Sequence, residues 1–303
     1  MLEQLQSLFS TFRSRIIAAV CLAILVVVSL CLFLWTKSNN NPEQIFWSAI
    51  NNSLSTSSVI IEAGQSSEGT TQEQLSQLTF GQHPIARTLT ILTSGNSVVR
   101  TEDLSTPSSE FTRYDSINTT KKNKNGTPVN FSSVLGVWAK TTPTQATTPV
   151  VPPVYGQILL GLSLPFGDLT ASEKVQLIEE LQTGQVYDTA FPAAKKVTVD
   201  GRLAYEYNVT IQPILYIRYM KEYAADMGLH QLDQVNPNTY EGQSAFNVTW
   251  TVDVNSREIV RAVYGNNNVE NYGGYGLPVT VSTPTKAITT AALQSRLTSL
   301  LSK

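Results

Sequence analysis

The chain has 303 residues, with 21 Lys and Arg against 23 Asp and Glu, a formal charge of -2, two His and two Cys. That balance provides no basic face for nucleic acid, and two Cys build neither a disulfide framework nor a four-Cys zinc site. His83 and His230 leave little material for metal ligation or imidazole acid–base chemistry, so no cofactor and no metal is expected. Ser and Thr number 63 and charged residues make up only 15%, a composition closer to exported surface proteins than to cytosolic enzymes.

The strongest local signal is the run IIAAVCLAILVVVSLCLFLW from Ile16 to Trp35, twenty residues without a charge. As a helix it is about 30 Å long, enough to cross the hydrocarbon core of a bilayer. Arg13 and Arg15 precede it and Lys37 follows, so the positive-inside bias places residues 1–15 in the cytoplasm as a short tail and residues 36–303 outside. A cleaved signal peptide has a shorter apolar core and a small-x-small site. Leu34-Trp35-Thr36-Lys37 offers no such site, and the run reads as an uncleaved signal anchor. Both cysteines, Cys21 and Cys31, lie inside it.

Beyond the anchor, Asn41-Pro42 opens a short helix through Ile45, Phe46 and Ile50, with Asn as N-cap and Pro at the first helical position. Ser58 to Ala63 reads as a strand. Arg87 to Thr93 and Ser97 to Thr101 flank a turn at Ser94-Gly95-Asn96, and Glu110 to Ile117 is a further strand. Residues 141–153 (TTPTQATTPVVPP) continue neither helix nor sheet and form a long loop or a linker. Thr170-Ala171-Ser172-Glu173 is a capping-box pattern, followed by an apolar face of Val175, Leu177, Ile178 and Leu181 that stops at Gly184.

The clearest β signal follows. Lys196 to Val199 leads into Asp200-Gly201, a two-residue hairpin turn. Leu203, Tyr205, Tyr207, Val209 and Ile211 then alternate with polar residues, the pattern of a strand buried on one face. Gln212-Pro213 begins a helix ending near Gly228, with Tyr216, Tyr219 and Tyr223 along one side. Phe246, Val248, Trp250 and Val252 alternate in a second strand that turns at Asn255-Ser256 into Glu258 to Tyr264. Leu277, Val279 and Val281 suggest a final strand, and Ala287 to Leu301 closes as an amphipathic helix. The fold class is therefore α+β: an antiparallel meander with helices collected on one face of the sheet.

No HExxH, GxSxG, P-loop or CxxC is present, and neither His has an acidic or nucleophilic neighbour in sequence, so the chain does not read as an enzyme. The Tyr-bearing helix packs on the sheet or lines the mouth of an apolar cavity, where Tyr and Met suit a greasy ligand. On the second view the candidate lining residues are Tyr205, Tyr207, Ile217, Met220 and Trp250.

Three segments carry a resemblance: the hairpin VTVDGRLAYEYNV, the strand pair NVTWTVDVNSREIVRAVY, and ENYGGYGLPVTVSTP with Gly276-Leu277-Pro278-Val279-Thr280-Val281-Ser282-Thr283-Pro284. Over roughly residues 195–285 the chain resembles the LppX/LprG-type lipoproteins of mycobacteria and, more remotely, LolA-like lipoprotein carriers. The resemblance implies a curved sheet closed by helices over a cavity for acyl chains, and carriage of lipids or lipoproteins across a bacterial envelope without catalysis. This chain departs from that group in bearing a helix anchor where those proteins have an acylated Cys. Its region 120–195 also has no counterpart there. The expectation is a single-pass membrane protein of the cell envelope, held by residues 16–35. Its extracytoplasmic domain binds a lipid or other apolar ligand, with envelope proteins as further partners. A tethered interaction module with a solid core is the alternative, and an exported hydrolase is the least supported reading.

Overall fold

The computed structural model describes residues 41–141, 154–265 and 268–302. The expected span 16–35 and the Pro/Thr-rich run beyond Thr141 lie outside those residues. No described helix is long and apolar enough to cross a membrane.

Helix α1 (Pro42–Ser53) starts as expected: the Asn41 side chain accepts the Glu43 N–H at 3.0 Å, and Pro42 fills the first position, where no N–H is needed. Five strands of ten residues follow as an antiparallel meander: β1 (Ser58–Ser67), β2 (Thr70–Thr79), β3 (Ile85–Ser94), β4 (Ser97–Thr106) and β5 (Ser109–Asn118). The short β6 (Ala139–Thr141) extends this half. After helices α2 (Val154–Gly161) and α3 (Ala171–Thr183), a second group is built from β7 (Tyr187–Thr189), β8 (Lys195–Val199) and β9 (Arg202–Ile211). Helix α4 (Pro213–Asp226) and strands β10 (Phe246–Asp253), β11 (Ile259–Tyr264) and β12 (Val269–Gly273) complete it. Strand β13 (Ile288–Thr289) and helix α5 (Thr290–Ser302) return to the first half, where β13 pairs in parallel with β6.

Among the described residues the strands form one open, curved, mostly antiparallel sheet in the order β13-β6-β5-β4-β3-β2-β1-β12-β11-β10-β9-β7, with β8 also on β9. The two meanders join where β1 pairs β12, Ile61 opposite Tyr272. Residues Phe46–Lys303 form one compact unit. The hairpin at Asp200-Gly201 takes φ of 49° and 76°, the positive pair a type I′ turn requires.

Register defines the inner face. Trp250 lies opposite Tyr207 and Ala262, Ala262 opposite Glu270, and Glu270 opposite Ala63. On β9 and β10 this face carries the expected alternation from Tyr205 and from Val248 onward, with Tyr205, Tyr207, Val209, Ile211, Val248, Trp250 and Val252 no more than 3% exposed. A strap at residues 162–166 lies over it. The Tyr187 hydroxyl donates to Ser163 O at 2.9 Å, Tyr223 to Phe166 O at 2.6 Å, and Tyr216 to Leu162 O. At the far end, α5 packs Leu293 against Phe131, Val134 and Ala139. On the outer face the buried Glu102 is held between Arg87, at 2.6 Å, and Arg113, whose guanidinium also lies 4.7 Å over Trp138.

Three expectations need correction. Residues 277–281 form no strand, and Leu277 is 56% exposed. The strand beside β1 is instead Val269–Gly273. The Gly276 N–H donates to Ser58 O and Thr56 Oγ1, both at 3.0 Å, and turns the chain off the ladder there. Val175 points into solvent, so the buried stripe of α3 is Leu177 and Leu181. Leu203 and Phe246, expected on the buried faces of β9 and β10, are 40% and 38% exposed where those strands begin. Strand β2, absent from the elements expected from sequence, has no apolar alternation in TTQEQLSQLT and is fully paired on both sides.

The capping box of α3 forms as its sequence indicates, with Thr170 and Glu173 bonding reciprocally. On its side towards α4, Glu180 meets Glu222 and Asp226. Partial burial, then the hydrogen bond and charge of Glu222, push the Glu180 carboxyl up to about 7, against a smaller lowering by Gln176. The folded state therefore holds a proton that the unfolded chain releases near 4.5. Stability falls as pH rises between those two values. Urea unfolding across that window should show the decline, and Glu180→Gln should flatten it.

Candidate functional site

The inner face changes character between its two halves. Over β9–β11 it is packed solid. Over β1–β4 and β12 it opens into a cleft of about 380 Å³ beneath α2. Its floor is mixed, with polar residues set beside Ile61 and Ala63: Ser76 stands opposite Thr88 and Thr88 opposite Asp103, while Gln74 stands opposite Thr90 and Ala63 opposite Glu270. Ser76 and Thr88 are buried and share a hydrogen bond of 3.1 Å. Asp103 accepts the Thr112 hydroxyl at 2.5 Å, and Glu270 accepts the hydroxyls of Tyr264, at 2.7 Å, and Tyr272. Burial raises the Asp103 carboxyl above the usual range, with the Thr112 bond opposing and the charge of Glu102 adding.

Helix α2 roofs this cleft with Val154, Gln157, Ile158 and Gly161. Its first turn is tied to the sheet. Ser105 Oγ accepts the Tyr155 N–H at 3.0 Å, and the Glu110 carboxylate accepts that of Val154. Burial and the charge of Asp103 raise Glu110, and the Val154 bond partly offsets them. The far end of α2 runs into the strap, where Ser163 Oγ shares a hydrogen bond of 2.9 Å with the Tyr264 hydroxyl and receives Trp250 Nε1 at 3.3 Å.

A second cleft of about 450 Å³ continues along the same face towards α5. It is apolar, walled by Val99, Ile117, Phe131 and Leu297, with Leu92 (39% exposed) and Leu301 (42% exposed) also lining it. Lys121 is the charged residue of its lining. Thr90 borders both clefts, so a polar section and an apolar section meet on β3. The outer face has a separate groove of about 460 Å³ over Leu75, Leu89, Ile91 and Val269, edged by Glu62, Glu73 and Arg100.

Of the five residues expected to line a cavity, Tyr205, Tyr207 and Trp250 lie on the inner face of the sheet and Ile217 and Met220 on α4. Tyr205, Tyr207, Met220 and Trp250 are buried in packed core and Ile217 is half-buried on α4. Phe46 stacks on Trp250 at 5.6 Å, Tyr187 meets the same ring edge-on at 4.8 Å, and Tyr207 lies 5.2 Å from Phe46. The structure brings Tyr205, Tyr207 and Trp250 together on neighbouring strands, whereas the clefts described above are bordered by β1–β5, β12, α2 and α5. Neither His lines those clefts: His83 is exposed, and His230, also exposed, has Nδ1 3.2 Å from Asp233 Oδ2. The residues missed from sequence were Leu92, Ile117, Phe131, Leu297 and Leu301. Leu92 and Ile117 lie in the strands read at 87–93 and 110–117, and Leu297 and Leu301 in the amphipathic pattern of residues 287–301.

No protein-family profile matches the chain. No curated protein matches it. Among solved structures it is similar to LprF from Mycobacterium bovis, at 18% sequence identity, covering 81% of this chain and 97% of that one with a TM-score of 0.42.

Proposed function

We propose that this chain is a cell-envelope protein, anchored by residues 16–35, whose extracytoplasmic domain binds a lipid or other apolar ligand without catalysing a reaction. The observation that carries this is the apolar cleft beside α5. A cleft of about 450 Å³ walled by Val99, Ile117, Phe131 and Leu297 leaves apolar surface in water at Leu92 and Leu301, and an acyl chain removes it. The alternative, an interaction module contacting envelope proteins, is favoured by the solid packing around Trp250.

A test uses the full chain and hexadecanol carrying a diazirine. Photolysis followed by peptide mapping should place adducts on β3–β5 and α5, and Leu297→Asp should cut their yield severalfold by putting a charge in the apolar wall. Adducts confined to residues 16–35 would sink the ligand-binding reading and leave the interaction module.

A further inference from the structure

The inner face of a one-sided sheet is ordinarily apolar, and over β9–β11 this one is. Beneath α2 the same face, beside Ile61 and Ala63, presents Gln74, Ser76, Thr88, Asp103 and Glu270 around open space. Among the described residues neither Lys nor Arg lines that cleft, so its carboxylates face no cation there. Ionised carboxylates only accept hydrogen bonds. Asp103 accepts the Thr112 hydroxyl through one oxygen, Oδ1, and so retains acceptor capacity towards the cleft. The apolar cleft begins where this one ends, at Thr90.

We infer that the ligand is an amphiphile lying across the strands, its tail beside α5 and its head beneath α2, and that the head is a hydrogen-bond donor without negative charge. This rests on the apolar-ligand reading above and adds the chemistry of the head. A hydroxyl-bearing or an ammonium-bearing head meets the requirement equally. An anionic head is disfavoured, because Asp103 and Glu270 repel it at short range and no base offsets them. Lys121 at the apolar end offers the opposite arrangement, with an anionic head at that mouth, so the two polarities are separable by experiment.

The experiment is competition against photolabelling of the full chain by the diazirine-bearing hexadecanol, using 1-monopalmitoyl glycerol, hexadecylamine and palmitate at pH 8. The glycerol ester, the amine or both should displace the probe at a concentration roughly tenfold lower than palmitate, the ratio that one charge-assisted hydrogen bond supplies. Which of the two succeeds identifies the source of the donor. Asp103→Asn with Glu270→Gln should bring palmitate to within about threefold of the best competitor. In that variant Thr112 can still donate to the amide oxygen introduced at position 103, and retained labelling of α5 reports that the chain is folded. Palmitate competing as well as the others would overturn the inference, as would palmitate binding that Lys121→Ala weakens and the double variant leaves alone. Absence of any labelling on β3–β5 and α5 would instead refute the apolar-ligand reading itself.

Discussion

Trp250→Ala should lower the unfolding free energy by about 3–5 kcal/mol, the cost of removing a large aromatic side chain from a core that cannot collapse around the gap. Trp250 is fully buried, with Phe46 stacked on one side and Tyr187 edge-on to it. Its neighbours are themselves fixed. Tyr207 packs on Phe46, and the Tyr187 hydroxyl is bonded to the strap, so neither ring is free to fill the space. Trp250→Phe keeps a ring in place and loses the indole N–H to Ser163 Oγ, a weak bond at 3.3 Å, and should cost about 1–2 kcal/mol. Ser163 retains the Tyr264 hydroxyl in either variant. Urea unfolding measures both. A loss below about 1 kcal/mol for Trp250→Ala would show that this half of the inner face is loosely packed after all. Below its melting temperature the alanine variant should still photolabel beside α5, because that cleft is walled by β3–β5 and α5 and shares no lining residue with the Trp250 core.

The difference between these two halves explains what was legible in the sequence. Strands β9 and β10 bury one face in dry core, so Tyr205, Tyr207, Val209, Val248 and Trp250 alternate with polar residues and announce both strand and orientation. Strand β2 borders the two inner clefts through Gln72, Gln74 and Ser76, and on its other face Glu73 and Gln77 flank Leu75. No apolar period survives there, and only the ladder with β1 and β3 makes it a strand. Residues 277–281 show the converse. Leu277, Val279 and Val281 alternate as a strand would, but Pro278 lacks an N–H and β12 already occupies the place beside β1. Alternation reports a face, and pairing needs a partner as well. The apolar cleft was hidden for a third reason. Leu92, Ile117 and Leu297 come from elements far apart in the chain, and β13 beside β6 is what brings α5 back to the first meander. The aromatic residues chosen from sequence were those with the strongest local signal, and strong local signal marks core.

Tyr187→Phe together with Tyr223→Phe should lower stability by about 2–5 kcal/mol, since each change strands a buried carbonyl of the strap, Ser163 O or Phe166 O, at about 1–3 kcal/mol. The two carbonyls sit close together on one segment, so the losses should couple and the double variant depart from the sum of the singles. The strap also holds the end of α2, the roof of the polar cleft, so the same variant should blunt the preference for a donor-bearing head over palmitate. Alkaline pH supplies a readout that a packing defect alone would not move. Burial drives both phenols well above 10.0, first through desolvation and then through neighbouring tyrosines. Unfolded tyrosines lose their protons near pH 10 while these keep theirs, so the folded state binds more protons there and stability falls as pH rises above about 10. The wild-type chain should therefore lose stability steeply over that range. The double variant carries two fewer such protons and should show a shallower slope from its lower starting point. Parallel slopes would mean that the two hydroxyls are not held in the protonated, strap-bonded state that ties α2 to the sheet.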